Sequence, residues 1–551
     1  LGVAIFLASL APVTGQPGQP GVAPDVAAKP VFEEWTLLVM DGRPCGFGST
    51  ITTSSNTPTG VQYHTELQQE FVVKRMGSPL KIGEVSHITE DADGAVLSFS
   101  QSSTGMGSDI ESTGVRAGDE LVVSSRGETQ RYRIPRLAAL GPEACRRLSS
   151  AVPLKPGQKF SLNTFTPDYP QAVVTENGTV VDREPHEVRG VQRELWKITS
   201  ESPVMSGIQE VLWVDDQNND VETTINLPGF GDMHQYVTDR AECMKQPEGA
   251  EIFATSLISP QRALPALSTT SRAIYRLATT SLTEKLILWD EGEQRVLKSE
   301  PGLAEVEVTV PHFTPADATY TLPHADTPEL HDYLQPSAYL EAGSPEIRAL
   351  AREAVGTEIN PVEAAHRIEK FVQGYITKKD LNIGFASAEE TAKSREGDCT
   401  EHAVLCAAIG RAAGLPTRCV LGLGYIPPGE LERTISNAVS TRTGIFGFHM
   451  WAEAWIGPDK WVPMDAALGG FDVGHIAIAK SALADVNPLV DLNLPILQLM
   501  QNLKITVLKT ESGTKSAPIA SSPRPTAPTP TVKPTDSDVD STPAAVQPGI
   551  D

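Results

Sequence analysis

At 551 residues the chain is too long for one ordinary hydrophobic core, and its composition, 40% hydrophobic and 21% charged, is that of a soluble globular protein of two or three domains. A formal net charge of −24 and a pI near 4.9 oppose phosphate backbones and anionic membranes, and no basic run or aromatic-and-arginine platform offers itself to nucleic acid.

The chain opens on "LGVAIFLASLAPVTGQPGQPG", an apolar core from Leu1 to Leu10 followed by small residues and a Pro/Gly-rich stretch. This is how the last part of a secretory signal peptide reads, so residues 1–30 are expected to be a signal remnant and linker and the protein to be secreted or periplasmic. No Cys lies near a cleavage point, which leaves a lipoprotein anchor without support. The best bilayer-spanning candidate, "NPLVDLNLPILQLM", is interrupted by Asp491 and Pro495, so no transmembrane segment is expected. Six cysteines are too few for a disulfide scaffold, although an oxidising compartment would permit a bridge among Cys45, Cys145 and Cys243.

From Val31 to about Val310 strands follow one another, as in "EEWTLLVMDGRP" and "IQEVLWVDDQNNDVETTI", divided by Gly, Asp and Asn turns. The expected fold for residues 31–324 is a β-rich region of antiparallel sheet, curled or sandwiched. The segments 96–123 and 221–243 share a plan, as antiparallel meanders do. Amphipathic helices then appear in "SPEIRALAREAV" and "NPVEAAHRIEKFVQGYI", the second opened by Asn360 as N-cap with Pro361 at the first helical position. A compact α+β domain is expected over residues 325–510, ending on the strand "LKITVLKT". Residues 511–551 are Pro/Ser/Thr/Asp-rich without apolar periodicity, so a disordered tail is expected.

The chemistry centres on "GDCTEHAVLCAAIG". Asp398 as N-cap and Glu401 three positions on form a capping box, which puts Cys399 at the first helical position. The helix dipole there favours thiolate, the reactive form, whereas Asp398 and Glu401 oppose it, so an imidazolium partner is required. In "FGFHMWAEAWIGPDKWVPMDAAL", strand alternation puts His449, Trp451, Glu453 and Trp455 on one face, and a turn at Gly457 would bring Asp465 opposite His449, with Cβ atoms about 4.5 to 5.5 Å apart. Turns centred on Pro458 or Asp459 would need a bulge, for which Pro463 is a candidate. Together these residues match a catalytic triad for thiol acyl transfer. Cys399 would attack a carboxamide carbon, His449 would move the proton, Asp465 would orient the ring, and the Cys399 backbone N–H would face the oxyanion.

These motifs, "GDCTEHAVLCAAIGRAAGLPTRCVLGL", then "FHMWAEAWI", then "WVPMDAAL", resemble the transglutaminase-like superfamily over roughly residues 330 to 480. The resemblance implies a transglutaminase-like (papain-like) α+β fold and a thiol enzyme, with Cys399, His449 and Asp465 at the family's triad positions. Related proteins include crosslinking acyltransferases, deglycosylating amidases and exported cysteine peptidases, so the implied substrate is a protein or peptide and no cofactor or metal is called for. Animal crosslinking enzymes carry a Trp upstream of the Cys that helps bind the oxyanion. No Trp lies between Trp289 and Trp451 here, and Gln373 or Tyr375 would have to substitute. That departure weakens transamidation relative to hydrolysis.

Competing readings remain. Cys399, His402 and Cys406 fall at helical spacing with Cys419 following, which would suit a zinc site less well than Cys-x2-Cys knuckles do. Trp451, Trp455 and Trp461 read as core and cleft wall, and residues 426–447 as a surface loop or a flap over the cleft. A non-catalytic binding or scaffold protein on the same fold is the alternative to an exported amide-directed thiol enzyme.

Overall fold

The computed structural model describes residues 29–513 apart from 76–77, 105–109, 126–127, 169, 171–172, 202–208, 228–230, 252–256, 280–284, 287, 379–385, 430–441 and 485–502. The signal-like start, the apolar segment 487–500, the middle of the 426–447 loop and nearly all of the tail fall outside the described residues.

The β-rich region is two consecutive meanders in one sheet. The first comprises β1 (Phe32–Met40), β2 (Arg43–Thr57), β3 (Gly60–Arg75), β4 (Ser78–Asp91), β5 (Val96–Thr104), β6 (Ile110–Ala117), β7 (Glu120–Ser125) and β8 (Glu128–Arg133). Helix α1 (Pro142–Ser150) leads to the second, with β9 (Lys159–Thr164), β10 (Val174–Val188), β11 (Val191–Glu201), β12 (Gln209–Val214), β13 (Asp220–Leu227) and β14 (Gly231–Thr238). Strand β14 returns to pair antiparallel with β1, Leu37 opposite Tyr236, which joins the meanders into a single fourteen-strand path. Two-residue turns drive the hairpins. Asp41–Gly42 and Arg189–Gly190 both have positive φ at each position, the twist that suits a tight antiparallel return.

The sheet wraps around α1, which contributes to the same cavity wall as β1–β4 and β9–β14. The helix is pinned at both ends. Glu90 accepts from the Glu143 and Ala144 backbone N–H groups at 3.0 and 2.8 Å, and Asn218 Nδ2 donates to the Ser149, Ser150 and Val152 carbonyls. After α2 (Arg240–Cys243), the short β15 (Ala250–Glu251) runs parallel to β3. Among the described residues no disulfide forms, so no bridge joins Cys45, Cys145 and Cys243.

Two four-stranded sheets and a helical layer build the rest. Strands β16 (Thr270–Ala278), β17 (Gln294–Glu300) and β18 (Leu303–Thr309) precede α3 (His331–Leu334), α4 (Pro345–Val355), α5 (Pro361–Tyr375), α6 (Ala388–Ser394) and α7 (Cys399–Ala412). Then come β19 (Thr417–Ile426), β20 (Ile445–Gly457), β21 (Lys460–Met464), β22 (His475–Ser481) and β23 (Lys504–Ser512). One sheet runs β21-β20-β19-β22, and the other, β17-β18-β16-β23, takes its last strand from the far end of the chain. The core that supports the helices therefore includes Tyr275, Val306 and Val308 as well as Val404, Ile409 and Trp451. Helix α7 is central. Every residue from Glu401 to Arg411 is buried, between α4, α5 and α6 on one side and β19 and β20 on the other, so "AVLCAAIG" has no polar face to present. Among the described residues, no helix is long and apolar enough to cross a membrane.

Candidate active site

Cys399 stands where the capping box predicts, at the first residue of α7 and only partly buried. Asp398 accepts from the Thr400 N–H at 2.9 Å, and Glu401 reaches back to the Asp398 N–H at 2.8 Å and to the Ala386 N–H at 2.8 Å. The glycine of the G-D-C motif is required by this fold-back. Gly397 has φ +156, and a Cβ there would come within 2.3 Å of the Glu401 Cβ.

The two carboxyls of the cap do not share one environment. Burial first, and then the Asp398 charge and a hydrogen bond between the two side chains, push the Glu401 carboxyl well above its ordinary range. A raised Glu401 carboxyl opposes a Cys399 thiolate less than an ordinary buried carboxylate would. His402 is 2% exposed and its Nδ1 donates to the Asp398 carbonyl at 2.5 Å, so it belongs to the cap.

His449 lies in β20, the strand on which α7 packs. Its Nε2 bonds the Asp465 carboxylate at 2.9 Å, which brings together the histidine and acid predicted as partners. The register differs from the symmetric hairpin about Gly457. Ala452 pairs with Met464 and Ala454 with Val462, so the turn centres on Pro458–Asp459 and the irregularity falls between Trp455 and Gly457, away from Pro463. Asp465 follows the last residue of β21 and reaches His449 along the diagonal, within the range of long side chains.

The carboxylate is more heavily engaged than the sequence suggests. Oδ1 accepts from the Ala467 and Leu468 N–H groups at 2.9 and 3.1 Å, and Oδ2 accepts from a second histidine, His475 Nε2, at 2.8 Å. Burial pushes the Asp465 carboxyl up, but the two histidines outweigh it and hold the group far below the usual carboxylate range. His475 was not anticipated. The signal for it is local: Asp472 sits three residues earlier, and its side chain and carbonyl lie 3.2 and 3.1 Å from His475 Nδ1. Burial alone would depress His475, and the bonds to Asp465 and Asp472 overcome it and hold the imidazole up to about 10.

That value fixes a pH dependence. A group raised from 6.5 to about 10 contributes stability that is fully present below pH 6.5 and is lost as pH rises through 10. His475→Gln is therefore expected to be less stable than wild type at pH 6.5, with the gap closing towards pH 10. Urea unfolding at both pH values measures it, and a gap that is constant or widens would contradict the assignment.

Around this centre, Glu369 Oε1 accepts the Asp465 N–H at 2.8 Å, tying α5 to the site. Gln373, one helical turn on, lies with its amide against Gly469 in the loop after Asp465. Tyr375 is spent elsewhere. Its hydroxyl donates to the Ala392 carbonyl at 2.8 Å and its ring lies 4.4 Å under the Arg395 guanidinium, which removes it as an oxyanion donor. Trp451 and Trp461 are buried, and Trp451 meets the His475 ring edge-on at 5.2 Å. Among the described residues, the group whose ligand atoms lie within 4.8 Å of one another is His449, Asp465 and His475, while Cys399, His402, Cys406 and Cys419 form no such group. The contacts of Asp465 with both imidazoles are those of a hydrogen-bonded array.

A helix-start cysteine, on a helix packed against a strand whose histidine is held by a buried carboxylate, is the framework of a thiol-enzyme fold. Residues 348–466 match the model of the transglutaminase-like superfamily, and the chain carries a transglutaminase-like domain in its C-terminal part. Among solved structures, the chain is similar to a protein from Cytophaga hutchinsonii provisionally named a cysteine protease, at 16% identity and a TM-score of 0.30, over 46% of this chain and 93% of that one. It is also similar to a β-barrel-like protein of unknown function from Brucella abortus, at 12% identity and a TM-score of 0.27, over 38% of this chain and 95% of that one. Comparison with curated proteins gives no match.

Proposed function

We propose that the protein is an exported thiol enzyme that hydrolyses amide bonds of proteins or peptides through Cys399, His449 and Asp465. The observation that carries the reading is the use of His449 Nε2 by the buried Asp465, which fixes the ring and leaves Nδ1 as the nitrogen to exchange a proton with a thiol.

In the proposed reaction the Cys399 thiol gives its proton to His449 Nδ1 and its sulfur bonds the carbonyl carbon. The oxyanion faces the helix start, with the Cys399 backbone N–H as donor. Collapse breaks the C–N bond, and the amine leaves with the proton from His449. Water, deprotonated by the same nitrogen, then cleaves the thioester to a carboxylic acid and restores the thiol. Hydrolysis is favoured over transfer to an amine because no Trp precedes Cys399 in this domain. Export rests on the apolar run Leu1–Leu10 and the small residues after it.

The test is labelling by a peptidyl electrophile that mimics the scissile carbonyl. Wild type is expected to be labelled at Cys399 and Cys399→Ala not at all, with Cys406 and Cys419 untouched. Burial pushes the Cys419 thiol up to about 12 and Cys406 well above its ordinary value, so neither ionises near neutral pH. Label on Cys406 or Cys419 at a rate equal to Cys399 would count against the proposal.

A further inference from the structure

The hollow of the large sheet holds a cavity of about 270 Å³, between α1 and the inner faces of β1–β4 and β9–β14. No residue of the candidate active site lines it. Six carboxyl groups do: Glu34, Glu84, Glu143, Asp168, Glu176 and Asp220. Arg146 is the one cation among the described lining residues, and its guanidinium is already committed, bonding both oxygens of Glu143 at 2.8 Å and lying 4.5 Å over the Phe32 ring. Among the described residues, the wall therefore carries more acid than base.

A second observation points to a ligand. Ser49 Oγ, Gln235 Nε2 and Glu176 Oε2 are buried on this wall without a hydrogen-bond partner, in side chains that are 7, 5 and 8% exposed. Native proteins leave few such atoms, and three around one hollow call for a polar guest. A metal ion fits poorly. Among the described residues these carboxyls do not bring three ligand atoms within 4.8 Å of one another, the convergence an oxygen-ligated cation needs. They are instead spread among Phe160, Phe165, Leu212 and Val214, surface suited to a carbon skeleton.

We propose that this cavity is a binding site for a small organic amine, its ammonium paired with the lining carboxylates and its carbon body against the aromatic and aliphatic wall. Gln235 and Ser49 supply the remaining polar contacts.

The site is set to couple binding to pH. Glu34 faces Asp220 and Arg146, and burial together with Asp220 pushes it up to about 7. Glu176 faces Glu210, the Thr164 hydroxyl and the Cys145 thiol, and burial together with Glu210 pushes it up to about 7. Asp168, held by Gln101 and Thr166 at 2.8 and 3.2 Å, is driven well up by burial and by Glu84. An ammonium favours the ionised carboxylate, so it must bind more tightly as pH rises through 7 and must expel protons as it does so. A neutral alcohol of the same shape has neither property.

Calorimetry on the full chain with 1,4-diaminobutane, and with 1,4-butanediol as its neutral counterpart, tests this. Diamine binding is expected to be about tenfold tighter at about pH 8 than at about pH 6, for one carboxyl titrating near 7. Its heat should change with the ionisation enthalpy of the buffer. The double variant Glu34→Gln with Glu176→Gln should weaken binding at least tenfold, near-ultraviolet circular dichroism serving as the fold control. No diamine binding in wild type, equal binding of diol and diamine, or undiminished binding by the folded double variant would each overturn the proposal. The wild-type comparison of diamine and diol decides the matter if the variant does not fold.

Discussion

Asp465→Asn is expected to lose activity by about 10²-fold from misplacement of the imidazole alone, and by up to about 10⁴-fold if the wrong tautomer of His449 results. The carboxylate is 1% exposed and accepts four hydrogen bonds, from the two histidines and from the Ala467 and Leu468 backbone. An amide has one acceptor oxygen, and its NH2 would face donors on the other side. One histidine must then turn over or lose its partner. Position 465 also carries stability, because breaking a buried charged pair costs about 3 to 5 kcal/mol. Labelling rate and urea stability should therefore fall together in Asp465→Asn, with the rate falling far beyond any unfolded fraction. A variant labelled as fast as wild type while remaining folded would remove Asp465 from the mechanism.

Gly424→Ala should produce the second large effect, at a residue with no chemistry of its own. Gly424 lies in β19 beside His449, and an added Cβ would sit 2.9 Å from both the Cβ and Cγ of that histidine. His449 is 6% exposed and tethered to Asp465, so it has little room to retreat. Displacement by a substantial part of an ångström costs about 10²-fold in rate, while overpacking costs about 1 to 3 kcal/mol in stability. The expected result is a folded protein labelled at Cys399 some ten- to a hundredfold more slowly. Unchanged labelling would mean that His449 is not held against β19 as described.

The parts of the site written in local sequence were legible there. The capping box around Cys399, the Asn360 N-cap of α5 and the alternation that aligns His449 with Trp451 and Glu453 depend on residues within a few positions of one another. The turn centres beyond Gly457, on the Pro458–Asp459 alternative, and the place of its bulge could not be read because it depends on packing, with Thr319 bonded to the Ile456 carbonyl from 137 residues away. His475 escaped notice for a similar reason. Asp472 marks it locally, but its bond to Asp465 crosses a ten-residue loop and shows only in the fold. The upward push on the Glu401 carboxyl also had to come from structure, since burial is its largest cause. In the β-rich region, strands and turns could be read, but the return of β14 to β1 and the hollow it creates are long-range events with no signature in either strand.

The proposed chemistry needs Cys399 and His449 to act as an ion pair, and the most direct measurement is the rate of Cys399 alkylation against pH in wild type and His449→Gln. The wild-type rate is expected to level off well below the ordinary thiol range of about 8.5, and the His449→Gln profile to return to that range. Superimposable profiles in two folded proteins would show that His449 does not govern the thiol and would contradict the proposed mechanism.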